Sequence, residues 1–157
     1  MSSAIEARLH ELGITLPVPA APVAAYIPSR RAGNLLYISG QVPLRDGTLI
    51  AQGPVPRVVP LDLAQQCARQ CVINALAAAK AALGGGGALD HIGGVIRVGV
   101  FVQCEPGYTE QPKVANGASE LLVAVFGESG KHARAAVGSV ALPLGAPVEV
   151  EVLFEVR

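Results

Sequence analysis

Arg134 is a lone cation near the head of an otherwise apolar run, Ala133-Arg134-Ala135-Ala136-Val137-Gly138-Ser139-Val140-Ala141-Leu142. Read as a strand over 134–142, the run alternates, so Arg134, Ala136 and Gly138 share one face. A guanidinium beside such small residues leaves a hollow that could take a ligand carboxylate through two parallel hydrogen bonds. Each is worth roughly 1.5–3 kcal/mol when shielded from water. An ion pair at a subunit interface would use the same arginine, and composition alone does not separate the two. Glu149 and Glu151 share a face of the next strand, 148–156, a candidate antiparallel partner of the first. They read either as a solvated face or, if Glu149 points into the arginine hollow, as the group that positions or deprotonates a water. Ser39-Gly40-Gln41 ends a third strand at a tight turn, where glycine lets a ligand approach backbone N–H groups. Tyr26 and Asn116 are further polar residues beside apolar segments; each taken alone reads as structural.

The elements that must hold these residues follow from periodicity and punctuation. Ser3 and Glu6 suggest a capped N-terminal helix that Gly13 closes, followed by a Pro/Ala-rich linker over 16–23. Residues 35–39 form a dense strand, and Asp46-Gly47 predicts a hairpin turn into a short return strand near Leu49 and Ile50. Residues 62–83 carry apolar positions at helical spacing, with Asp62 as the expected cap and Gly84 to Gly87 as the stop. A strand over 94–102, a helix over 113–126 and the strands 134–142 and 148–156 complete the chain. This order describes an α+β fold, two helices on one face of one sheet. The chain reads as one domain over 1–157, with 1–25 as its helix-and-linker extension. Two helices cover only one face, so the other apolar face calls for a neighbouring subunit.

Composition narrows the function. Hydrophobic residues make up 51% of the 157 and charged residues 15%, well under the usual quarter, so a small monomer would struggle to cover its surface. Twelve basic residues balance twelve acidic ones, and aromatics are only 4%. Neither a basic patch nor an aromatic platform marks a nucleic-acid surface. Residues 1–12 are mixed and amphipathic, unlike a secretory leader, and no run is long enough to span a membrane; a cytoplasmic protein with reduced thiols is expected. Cys67 and Cys71 fall on one apolar helix face and read as buried thiols rather than metal ligands. His10, His91 and His132 are scattered, which argues against a catalytic histidine. Gly127-Glu128-Ser129-Gly130-Lys131 only echoes a phosphate loop, because Val125 occupies the first glycine position and His132 follows the lysine.

Gly33-Asn34-Leu35-Leu36-Tyr37-Ile38-Ser39-Gly40-Gln41-Val42-Pro43, then Asn116, then Arg134-Ala135-Ala136-Val137, Leu142-Pro143 and Val148-Glu149-Val150-Glu151 stand in one order. From about Tyr26 to the end, the chain resembles the YjgF-like, or Rid, family of enamine and imine deaminases, often labelled endoribonucleases; the N-terminal helix and the loop 103–112 resemble a longer subgroup. The resemblance implies a chorismate-mutase-like fold and a homotrimer with clefts between subunits. It implies that Arg134 binds a substrate carboxylate, that the Gly40 backbone contacts the ligand and that Glu149 holds the attacking water. Tyr26, Ser39 and Asn116 would line or support the pocket. Ala136 stands where many deaminases carry cysteine. The implied reaction converts small 2-imino acids to 2-keto acids and ammonia without a cofactor. A trimeric sensor of small carboxylates would use the same cleft, whereas the neutral charge weighs against an RNA-cleaving translation inhibitor.

Overall fold

The computed structural model describes residues 3–19, 21, 25–84 and 86–157. The linker residues 20 and 22–24, and Gly85 of the glycine stop, lie outside the described residues. The described chain runs α1 (Ala4–Glu11), β1 (Ser29–Ala32), β2 (Leu35–Gln41), β3 (Leu44–Arg45), β4 (Thr48–Leu49), α2 (Leu61–Ala82), β5 (Ile92–Gln103), α3 (Gln111–Phe126), β6 (Ala133–Ser139) and β7 (Val148–Val156). Five strands form one sheet in the order β1-β2-β7-β5-β6, while β3 and β4 make a separate hairpin. Asp46 and Gly47 both have positive φ, as a two-residue turn of this kind demands.

Strict alternation in β7 divides the sheet. Val148, Val150, Val152, Phe154 and Val156 are buried on the helix side, where α2 packs on β7 and α3 on β5 and β6, and Glu149, Glu151, Leu153 and Glu155 face the other way. Val98, Val100 and Val102 of β5 pair with Val152, Val150 and Val148 and extend the buried layer. Among the described residues no helix lies over the opposite face. Tyr37 and Val137 stand on it 48% and 47% exposed, around an Arg97–Glu151 ion pair of 2.8 Å.

Several boundaries move for identifiable reasons. The cap of α2 is Pro60, whose carbonyl accepts from the Ala64 N–H; Asp62 sits in the first turn, where a carboxylate still favours the helix dipole. Helix α3 starts two residues early because Pro112 fits a first turn. Strand β6 ends at Ser139 rather than residue 142. Its partner β5 ends at Gln103, and the Ser139 hydroxyl donates to the Ala141 carbonyl at 2.7 Å, folding the chain away. Strand β7 is not the neighbour of β6. β6 pairs in parallel with β5 at the sheet edge, and β7 lies in the middle between β2 and β5.

Helix α1 is capped as its sequence suggests, with the Ser3 hydroxyl accepting from the Glu6 N–H. The reciprocal half of the capping box is not used, because Glu6 instead pairs with Lys80 at 2.7 Å. The Asp90 carboxylate accepts from the Ser3 hydroxyl and from the Ala4 and Ile5 N–H groups, tying α1 to the turn before β5. Helices α2 and α3 approach closely at Gly117, where a Cβ would stand 2.1 Å from the Gln65 carbonyl oxygen. Backbone cannot step aside as a side chain can, so Gly117→Ala is expected to cost about 1–3 kcal/mol. The melting temperature should fall by about 2–4 °C for each kcal/mol. An unchanged thermal transition would show that the helices separate freely.

Candidate functional site

Parity in β6 places Arg134, Ala136 and Gly138 on the helix side, paired with Val98, Val100 and Val102. Strand β6 is an edge, so the Arg134 side chain runs exposed along the flank of α3 and is held there by three acceptors. Nη1 donates to the Asn116 side-chain oxygen at 2.9 Å and to the Ser119 hydroxyl at 3.1 Å, and Nη2 donates to the Pro112 carbonyl at 3.3 Å. Asn116 and Ser119, three residues apart, share a helix face, and this is why a helix can present both to one guanidinium. A guanidinium has five N–H donors in a fixed fork. The Nε–H and one hydrogen of Nη2 keep no partner among the described residues, and no carboxylate there pairs with Arg134. A charge braced by three neutral acceptors, with donors left open, has the chemistry to pair with an anion.

His132, an isolated histidine in the sequence, stands behind this arginine. Its Nε2 lies 2.9 Å from the Ser119 hydroxyl and its Nδ1 lies 2.6 Å from the Gly130 carbonyl. Ser119 accepts from Arg134, so its own proton is available for His132. Its position two residues before Arg134, just ahead of β6, is the clue that the sequence offers.

Glu149 is on the opposite face. It lies between buried Val148 and Val150, with Phe101 as its cross-strand partner. A register irregularity between Ile38 and Gln41 sets Ser39 and Gly40 against the single Glu151. A Cβ at Gly40 would fall 2.0 Å from a Glu149 carboxylate oxygen. Glycine is therefore what lets this carboxylate lie against the β2 backbone. The Ser39 hydroxyl donates to the Ile27 carbonyl at 2.7 Å, beside exposed Tyr26, so Ser39 anchors the segment before β1.

The expected residues thus gather into two groups. Arg134, Asn116 and Ala136 stand on the helix side, and Ser39, Gly40 and Glu149 stand on the open side, with Tyr26 next to the segment that Ser39 anchors. Glu149 does not point into the Arg134 hollow of its own chain. Alternation and the placement of β7 away from β6 prevent it.

Burial, and then the charge of Glu151, hold the Glu149 carboxyl above the usual carboxylate range. The folded chain therefore binds this proton more tightly than the unfolded one. The stabilisation is complete below the ordinary carboxylate pKa and is lost as pH rises through the raised value. Glu149→Gln is expected to melt above wild type at neutral pH, the two curves converging in acid. Thermal melts across pH test this, and a variant that melts lower at neutral pH would show the ionised carboxylate to be favourably paired.

With this geometry established, relatives are informative. A family model described as "YjgF/chorismate mutase-like, putative endoribonuclease" matches residues 6–156. The chain belongs to that family. It is 42% identical over 157 residues to Protein TCP17 of Trypanosoma cruzi, covering 99% of this chain and 96% of that protein. The crystal structure of Atu1372, a protein of unknown function from Agrobacterium tumefaciens, is 47% identical, covers 98% of this chain and 93% of its own, and superposes with a TM-score of 0.90. A structure from Shewanella oneidensis, named as an endoribonuclease by assignment, is 32% identical with a TM-score of 0.91, covering 97% of this chain and 99% of its own. These YjgF-family structures share the single sheet with helices seen here. No helix among the described residues is long and apolar enough to cross a membrane.

Proposed function

We propose that this YjgF-family chain hydrolyses small 2-imino acids, or their enamine tautomers, to 2-keto acids and ammonia in a cleft between copies of itself. The open N–H donors of the braced Arg134 guanidinium carry the reading, because they suit a substrate carboxylate. Arg134 anchors the carboxylate, and Asn116 and Ser119 keep the fork oriented. Glu149 of a neighbouring copy, lying against that copy's own Gly40, holds a water beside the C=N carbon. Water oxygen bonds to that carbon while its proton passes to Glu149. Glu149 hands that proton to nitrogen; as the C–N bond breaks the new hydroxyl gives its proton to Glu149 and the departing ammonia takes it up, so a protonated imine plus water becomes a keto acid plus ammonium. A protonated imine is already electrophilic, so orientation and electrostatics suffice and no cofactor is invoked.

A homotrimer would close three such clefts and cover the exposed Tyr37 and Val137. Light scattering at micromolar concentration should report the trimer, and a clean monomer would remove the site. The test of activity generates imino acids with an amino-acid oxidase in the presence of semicarbazide. Wild type is expected to suppress semicarbazone formation, and Arg134→Ala is not. Binding of 2-ketobutyrate without suppression for any amino acid would favour a metabolite sensor. The chain's zero net charge gives no support to RNA cleavage, although relatives carry that name.

A further inference from the structure

Beyond Ala136, the helix side of β6 opens into a cleft of about 590 Å³ whose walls include Cys104, Glu105, Tyr108, Gln111, Gly138 and Ser139. The first turn of α3 joins this cleft to the arginine. The Pro112 carbonyl accepts from Arg134, while the preceding residue, Gln111, reaches over Gly138. A Cβ at Gly138 would stand 2.9 Å from the Cys104 sulfur and 3.2 Å from the Gln111 amide nitrogen. The missing side chain thus makes room for both. Gln111 donates to the Tyr108 carbonyl at 2.7 Å, which fixes the wall. The Tyr108 hydroxyl is shielded from solvent and has no hydrogen-bond partner among the described residues. The surface that Tyr108 gives the cleft is therefore its ring.

The geometry points to this cleft as the side-chain subsite of the Arg134 site, selecting 2-imino acids with aromatic or comparably bulky side chains over those with a methyl or ethyl group. The inference rests on the proposed imine hydrolysis and deepens it. The carboxylate is fixed at the guanidinium, and small Ala136 leaves the path along the strand clear. The cleft falls within the range of roughly 300–1,000 Å³ typical of small-molecule sites and far exceeds what a methyl group needs. The Tyr108 ring offers a flat apolar wall, and the Cys104 thiol reports whether the space is filled. Cys67 and Cys71 do not compete as reporters: both are buried, and burial pushes both thiols up, Cys67 to about 11.

Two measurements test the subsite. In the imine assay, wild type should favour phenylalanine-derived over alanine-derived imine, and Gly138→Val should lower that preference by about 10- to 100-fold. An unchanged ratio would overturn the assignment. Independently, iodoacetamide labelling of Cys104, followed by intact mass, should slow about tenfold under saturating phenylpyruvate but not under pyruvate. Arg134→Ala should lose that protection. If both acids bind in an Arg134-dependent way but Cys104 labels at the same rate, the subsite is wrong and the arginine site stands. If neither acid binds and no imine is consumed, the arginine reading falls and the subsite with it.

Discussion

Arg134→Ala is expected to lower kcat/KM for imine hydrolysis by about 100- to 10,000-fold, the equivalent of losing two shielded charge-assisted hydrogen bonds. Arg134→Lys should recover little of it. An ammonium keeps the charge but not the planar fork that meets both carboxylate oxygens. It also cannot satisfy Asn116, Ser119 and the Pro112 carbonyl together in one plane. Much of the loss should appear in KM, because the carboxylate is held alike before and during reaction. Asn116→Ala should cost less, since Ser119 and the Pro112 carbonyl still brace the guanidinium. Melting temperatures should scarcely change, because Arg134 is exposed and pairs with no carboxylate among the described residues. Steady-state kinetics on the three variants checks this. Full activity in Arg134→Ala would remove the arginine from the site.

What was legible in the sequence was what local pattern dictates. Strict alternation fixed β7 at the bounds 148–156 expected for it, and the same parity rule placed Arg134 with Ala136 and Gly138. The long apolar periodicity of α2 located that helix to within one residue at each end. Strand neighbours were not legible, because pairing depends on contacts far apart in sequence. The short connection from β6 to β7 suggested a hairpin, yet β7 pairs with β2 and β5. For that reason the hollow and the carboxylate seemed available to each other within one chain. The sequence assigns Cys104 and His132 no part in the site for a related reason. Neither belongs to a cluster in sequence. Cys104 acquires meaning only when Gly138 is set beside it, and His132 only when Ser119 of α3 comes within 2.9 Å. The Gly40–Glu149 contact, 109 positions apart, was likewise beyond spacing rules, although a glycine at the end of a strand hinted at a close approach.

Two inactive variants are expected to restore each other. Arg134 and Glu149 stand on opposite faces of one sheet, so a cleft holding both takes the arginine from one copy and the carboxylate from the next. Arg134→Ala and Glu149→Gln should each be nearly inactive alone. Dissociated together and reassembled one to one in a closed ring, each cleft is intact only when the copy giving arginine and the copy giving glutamate are both the right variant. Random assembly makes that about one cleft in four, whatever the ring size. The mixture should therefore recover about a quarter of wild-type activity, far above the mean of its parents. A second mixture distinguishes shared sites from self-contained ones. Wild type reassembled one to one with the double variant should show, per total chain, about a quarter of wild-type activity if each cleft draws on two copies, and about half if each copy carries a whole site. Absence of recovery in the first mixture, with about half in the second, would place both groups at a site within one copy, against the opposed faces. Recovery to about a quarter in both would make the opposed faces themselves the reason the protein needs to assemble, since neither face of a single copy can both anchor the acid and deliver the water.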